Sequence, residues 1–100
     1  MLTNCDDYKY EPVPSTKFKK DYRRAKKRGL PLKELHEVVD ALAKGESLST
    51  KHKDHQLKGS MKDYRECHIR PDWLLVYRIY EDELILALVE TGSHADLFDM

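Results

Sequence analysis

Residues 61–90, MKDYRECHIRPDWLLVYRIYEDELILALVE, decide the fold. Apolar and polar side chains alternate there with a period of two, which predicts three strands over 61–69, 73–80 and 84–90. The connections Arg70-Pro71-Asp72 and Glu81-Asp82-Glu83 are so short that they force antiparallel hairpins. The middle segment WLLVYRIY is apolar on both faces, so it belongs inside the sheet with cover on both sides.

Upstream of this meander the period lengthens. Ser15 or Thr16 can cap a helix over 16–28, whose Phe18, Tyr22 and Ala25 fall on one face and which Gly29 stops. Pro31 opens a second helix over 31–44, because its missing N–H has no partner at that position anyway. Leu32, Leu35, Val38, Val39 and Leu42 give this helix a firmer apolar stripe. Residues 46–60 have no period and are expected to form a Lys- and His-rich loop. Residues 1–14 are expected to be an extended lead-in or an edge strand, since Pro12 and Pro14 cannot serve an inner ladder. The whole is predicted to be one α+β domain over 1–100, two helices packed on one face of an antiparallel sheet.

Composition narrows the function. The 100 residues carry 18 Lys and Arg against 18 Asp and Glu, and 40% are hydrophobic, as in a compact domain with a charged surface. The zero net charge is unevenly spread: residues 1–50 stand at +3 and residues 51–100 at −3. No apolar run has the length of a membrane span, and MLTNCDDYKY lacks the basic-then-apolar layout of a secretory signal. Cys5 and Cys67 form no Cys-x-x-Cys pair, so two reduced thiols in a cytoplasmic protein without membrane association are expected.

Five histidines are the chemical signal. His55 precedes the first meander strand, His68 lies near its end, and His94 follows the last strand. Asp72 sits in the hairpin just past His68. A rigid sheet commonly presents reactive groups at such junctions. Imidazoles exchange protons near neutrality, and an RNA strand brings its own nucleophile in the ribose 2′-hydroxyl. A base to take that proton and an acid to protonate the 5′ leaving oxygen would cleave RNA without a metal or any other cofactor. His36 and His52 are expected to be solvated surface residues. A zinc site ranks lower, because no His-Glu-x-x-His or paired Cys/His spacing is present.

Two further features bear on RNA. KFKKDYRRAKKR, residues 17–28, holds eight cations and one Asp, and fits equally a phosphate backbone, an acidic protein or plain solvent. Lys51, Lys53, Lys58, Lys62, Arg65 and Arg70 lie nearer the histidines. Phe98 follows His94 and could stack on an unpaired base or simply anchor the terminus. Cys67 alternates away from His68, which argues against a Cys–His nucleophile.

KDHQLKGSMKDYRECHIRPDWLLVYRI, residues 53–79, with TGSHADLF, residues 91–98, closely resembles the YafQ-type toxins of the RelE superfamily. The shared letters include Lys53-Asp54-His55, Leu57, Gly59, Tyr64-Arg65, His68, Pro71-Asp72-Trp73, Tyr77, Thr91-Gly92, His94 and Leu97-Phe98. The resemblance implies the RelE-like microbial RNase fold and the toxin half of a type II toxin–antitoxin pair. It implies a metal-independent endoribonuclease that cuts mRNA in the ribosomal A site. His55, His68, Asp72 and His94 are then the catalytic set, with Phe98 positioning substrate; from the cationic set near the histidines, Lys53, Lys58 and Arg65 are expected to bind substrate as well. His94 is assigned as the acid, and His55 is preferred to Asp72 as the base. Partners implied are a cognate, DinJ-like antitoxin, ribosomes carrying mRNA, and operator DNA only through the antitoxin complex. The alternatives are a non-catalytic gyrase poison of the ParE branch and an inactive protein-binding relative. Two departures from the family pattern are the longer lead-in of residues 1–15 and the acidic segment 81–100.

Overall fold

A computed structural model describes residues 8–98, the side chain of Phe98 excepted. The chain runs β1 (Glu11–Pro14), α1 (Thr16–Lys27), α2 (Leu32–Ala43), β2 (His55–Gln56), β3 (Arg65–Arg70), β4 (Trp73–Tyr80), β5 (Ile85–Gly92) and α3 (His94–Phe98), with 3-10 turns at Thr50–His52 and Gly59–Met61. The strands form one sheet in the order β1-β5-β4-β3-β2. The meander β3–β4–β5 is antiparallel, as its short connections require.

Three expectations change in detail. The first meander strand starts at Arg65 rather than Met61, because Gly59–Met61 winds into a 3-10 turn and Leu57 N–H reaches the Tyr64 carbonyl to close the hairpin. The 46–60 loop contributes a two-residue strand, with His55 opposite Glu66. The sheet is mixed, not wholly antiparallel: β1 lies parallel to β5, Glu11 facing Ile85 and Pro14 facing Leu88. Glu11 and Ser15 donate their N–H groups to Leu84 and Leu88, so Pro12 and Pro14 occupy positions where a missing donor costs nothing.

The two helices form where the sequence places them. Ser15 Oγ accepts from the Phe18 N–H and starts α1, and Gly29, at φ 74°, lets the chain leave it. Leu35, Val38, Val39 and Leu42 of α2 join Phe18 and Ala25 of α1 in the core. The sheet meets them with Cys67, Ile69, Leu75, Tyr77, Leu86 and Leu88. The intervening positions of β4, Leu74 and Val76, point the other way and are buried too, which agrees with a strand apolar on both faces.

β1 stops at the level of Leu88, leaving the last half of β5 without a strand on the side away from β4. Polar side chains of α1 take the place of that strand. Ser15 Oγ donates to the Val89 carbonyl, the Thr91 N–H donates to Asp21, and Arg24 donates to the Thr91 carbonyl. Buried Asp21 is itself held by Lys17 and Arg24. The edge is thereby satisfied and blunted.

Candidate active site

Register assigns each reactive side chain to a face. Glu66 opposes Val76 and His68 opposes Leu74, so both point away from the helices. His55 opposes Glu66 and joins the same face from β2. A register shift between His68 and Arg70 marks a bulge beside the Pro71-Asp72 turn, a device that re-aims side chains at the end of a strand. His94 begins α3 just beyond β5 and reaches back to that turn. The open face therefore brings His55, His68, Asp72 and His94 together: the His55 and His68 ring centres lie 6.5 Å apart, and those of His68 and His94 5.8 Å apart.

Hydrogen bonds orient each ring. Asp72 Oδ1 accepts from the His94 main-chain N–H at 2.9 Å and from its Nδ1 at 2.7 Å. These contacts, the main-chain one first, hold the Asp72 carboxyl below its ordinary range. An ionised Asp72 keeps Nδ1 the donor and leaves Nε2 as the nitrogen that exchanges a proton. His55 Nδ1 donates to the Lys53 carbonyl at 2.7 Å, Lys53 being in a left-handed turn at φ 45°. His68 Nδ1 donates to the Pro71 carbonyl at 3.3 Å. All three imidazoles thus commit Nδ1 to the scaffold.

Glu66 is the residue sequence reasoning missed. It is 5% exposed, and its Oε1 lies 3.5 Å from His55 Nε2 and 3.9 Å from His68 Nε2. Its Oε2 is buried with no hydrogen-bond partner among the described residues. One carboxylate oxygen thus faces the Nε2 atoms of two imidazoles. The signal was present in the letters, since Glu66 stands two residues before His68 and so on the same face of a strand.

The other expected residues fall as follows. Lys53 and Lys58 are exposed on the rim. Arg65 points to the helix side, where it pairs with Asp54 at 3.3 Å, and Tyr77 donates to the same carboxylate at 2.6 Å. Phe98 closes α3, but its side chain lies outside the described part, as do residues 1–7 with Cys5. His52 is no simple surface group: its Nδ1 donates to the His68 carbonyl at 2.7 Å, bracing β3 at the bulge. His36 is half-buried, stacked on Tyr22 and hydrogen-bonded through Nε2 to its hydroxyl at 2.8 Å, and burial lowers its pKa. Cys67 is buried against the helices, and burial pushes its thiol far above the usual range.

The basic run on α1 divides. Lys17, Arg24 and Arg28 are engaged with Asp21, Glu90 and Asp96, whereas Lys19, Lys20, Arg23, Lys26 and Lys27 are exposed. Asp96 anchors α3: it receives Arg28 at 2.6 Å and the Ser93 N–H at 2.9 Å, while its own N–H donates to Ser93 Oγ. The Arg28 contact, chiefly, holds the Asp96 carboxyl far below its ordinary range. A Cβ on Gly92 would lie 2.8 Å from both Arg24 Nη2 and Asp96 Cβ, so only glycine lets this anchor close.

No group of three or more His, Cys, Asp and Glu side chains is arranged to hold a metal ion among the described residues, and no helix there is long and apolar enough to cross a membrane. Comparison with known proteins points one way. A family model described as the YafQ toxin of bacterial type II toxin–antitoxin systems matches residues 10–99. The mRNA interferase toxin YafQ of Escherichia coli K12 is 36% identical over 85 residues, spanning 84% of this chain and 90% of that protein. YafQ in the crystallised E. coli DinJ–YafQ toxin–antitoxin complex superposes with a TM-score of 0.82 at 34% identity, covering 90% of this chain and 98% of that one. A metal-bound toxin from Helicobacter pylori superposes at 0.85 with 49% identity, over 89% and 99% of the two chains.

Proposed function

The chain belongs to the YafQ family of type II toxin–antitoxin toxins, and from that premise we propose that it is an endoribonuclease cutting mRNA in the ribosomal A site by acid–base chemistry on the open face of its sheet. The observation that carries the reading is the ring-to-ring continuity of His55, His68 and His94, with Glu66 and Asp72 as their acidic partners. A phosphodiester over His68 has an imidazole on either side. His55 Nε2 takes the 2′-hydroxyl proton, and the Glu66 carboxylate stabilises the imidazolium that forms. The freed oxygen attacks phosphorus, giving a 2′,3′-cyclic phosphate, and His94 Nε2 gives its proton to the departing 5′ oxygen. Asp72 is a poor base, because its carboxyl is held below the ordinary range, and it fixes the His94 tautomer instead. His68 offsets charge on the phosphorane. Lys53 and Lys58 bind the RNA backbone and Phe98 stacks on a base, whereas Arg65, expected to bind substrate, is turned to the helix side and held there by Asp54.

The single domain over residues 1–100 acts in the cytoplasm. A DinJ-like antitoxin neutralises it, and the complex reaches operator DNA through the antitoxin. The metal-bound relative favours a second reading, in which a transition metal assists. Glu66 Oε1 faces both His55 and His68, and Asp72 faces His94, yet no group of three or more such side chains among the described residues is arranged to hold a metal ion. The test adds purified protein to programmed ribosomes and to the same mRNA free in solution. Magnesium is kept, and a chelator selective for transition metals is added. Cleavage is expected only on ribosomes, unaffected by the chelator, and reduced about 10²- to 10⁴-fold in His94→Ala. Cutting of free RNA, loss with the chelator, or an active His94→Ala would overturn the respective part.

A further inference from the structure

The catalytic face continues beyond the histidines. Along β4 away from Leu74 the same face presents Val76, Arg78 and Tyr80. The β3–β4 register, extended by one residue, puts Tyr64 opposite Arg78. The Arg78 guanidinium carbon lies 4.4 Å from the Tyr80 ring centre and 5.5 Å from that of Tyr64. All three side chains are partly exposed.

This arginine differs from its neighbours. Arg65 is paired with Asp54 and Arg70 with Glu34. Among the described residues no carboxylate stands at ion-pair distance from Arg78; the Tyr64 side chain is its chief partner, and Asp63 acts on it only from farther away. A cation held by aromatic rings keeps its charge available, and the rings offer faces to a base.

Resting on the proposed RNA cleavage, we propose that Tyr64, Arg78 and Tyr80 form a subsite for single-stranded RNA on the 5′ side of the scissile linkage, Arg78 meeting a phosphate and the tyrosines a base. Polarity follows from the order of groups along β4. The Asp72–His94 pair lies at one end, His68 opposite Leu74 comes next, then the row of Glu66 and His55, then Arg78. The acid serves the 5′ leaving oxygen, which belongs to the nucleotide on the 3′ side. The base serves the 2′-hydroxyl of the nucleotide on the 5′ side, and Arg78 lies beyond the base. Arg78 is four residues along β4 from Leu74, about 13 Å, a reach of roughly two nucleotides of extended strand.

The experiment measures cleavage by the full chain on programmed ribosomes, with an abasic nucleotide placed two positions 5′ or two positions 3′ of the cut. For the wild type, the 5′ lesion is expected to raise the ribosome concentration at half-maximal rate about tenfold, leaving the saturating rate alone. Arg78→Ala and Tyr80→Leu are each expected to raise it similarly on intact mRNA and to be insensitive to the 5′ lesion. Arg78→Lys restores charge without the planar stack and recovers only part. Variants that respond to the 5′ lesion as the wild type does, or become insensitive to the 3′ lesion instead, would overturn the subsite or its polarity. A drop in saturating rate alone would also count against it. A wild type that cuts no ribosome-bound mRNA would fell the parent reading, and this subsite with it. Unchanged cutting by the variants would fell the subsite alone.

Discussion

β3 and β4 carry two different molecules on their two faces. Toward the helices, Cys67, Leu75 and Tyr77 are sealed in the core. Toward the opposite side, the residues between them are Glu66, His68, Val76 and Arg78, joined by His55 and His94. One face spends its free energy on burial. The other keeps a buried carboxylate oxygen without a hydrogen-bond partner among the described residues and holds imidazoles beside it, an arrangement that costs stability and suits the proposed chemistry. A shift of one residue along the strand separates a position that holds the fold from one proposed to take part in cleavage.

Substitutions on adjacent residues should break this symmetry most sharply. Leu75→Ala is expected to destabilise the fold by about 2–5 kcal/mol in denaturant titration, with activity per folded molecule retained. Glu66→Gln should do the reverse, lowering the saturating cleavage rate about 10- to 100-fold with little loss of stability, since it removes the charge that His55 and His68 face. Equal effects on both quantities in both variants would dissolve the distinction.

The boundary between the faces is tested at Gly92. Gly92→Ala should push Asp96 and α3 away from β5 and displace His94, lowering cleavage about tenfold while costing only 1–2 kcal/mol or so of stability. Wild-type cleavage by that variant would show that the α3 anchor does not position the acid.

The smallest effects are in pH. His36 has a lowered pKa because it is buried, so its contribution is full above its ordinary value near 6.5 and is lost as pH falls through the lowered folded value. Asp72 and Asp96 are lowered carboxylates, and their contributions fade only below about pH 4. Stability against pH should therefore show a shallow decline starting below about 6.5 that His36→Gln removes. A separate acid decline should persist in that variant and shrink in Asp96→Asn.

Much of this was legible in the letters, and the rest was hidden for physical reasons. Period two in 73–90 and the short Arg70–Asp72 and Glu81–Glu83 links specified the meander, because hairpin pairing is local. The parallel docking of β1 on β5 joins residues more than seventy positions apart, which no local period reports. Met61–Tyr64 has two adjacent polar residues, Lys62 and Asp63, which break the alternation, and tight turns around Gly59 claim the segment. His55, His68, Asp72 and His94 were legible as residues at junctions, and the fold brings them together. Glu66 was overlooked because a single acid in a charged sequence is unremarked until register puts it between two histidines. The fates of His36 and His52 depend on partners 14 and 16 positions away, Tyr22 and His68. The acidic 81–83 turn, a departure from a basic RNA-binding profile, caps the end of β4 remote from His68 and Asp72 and directly follows Tyr80 of the proposed subsite.

The division of labour between His55 and His94 is best tested by changing the leaving group. A programmed-ribosome substrate with sulfur in place of the bridging 5′ oxygen at the cut needs no proton on departure. His94→Ala should cut it at close to the wild-type rate while remaining about 10²- to 10⁴-fold impaired on ordinary mRNA, and His55→Ala should stay impaired on both. Failure of sulfur to rescue His94→Ala, or rescue of His55→Ala in its place, would contradict the assignment.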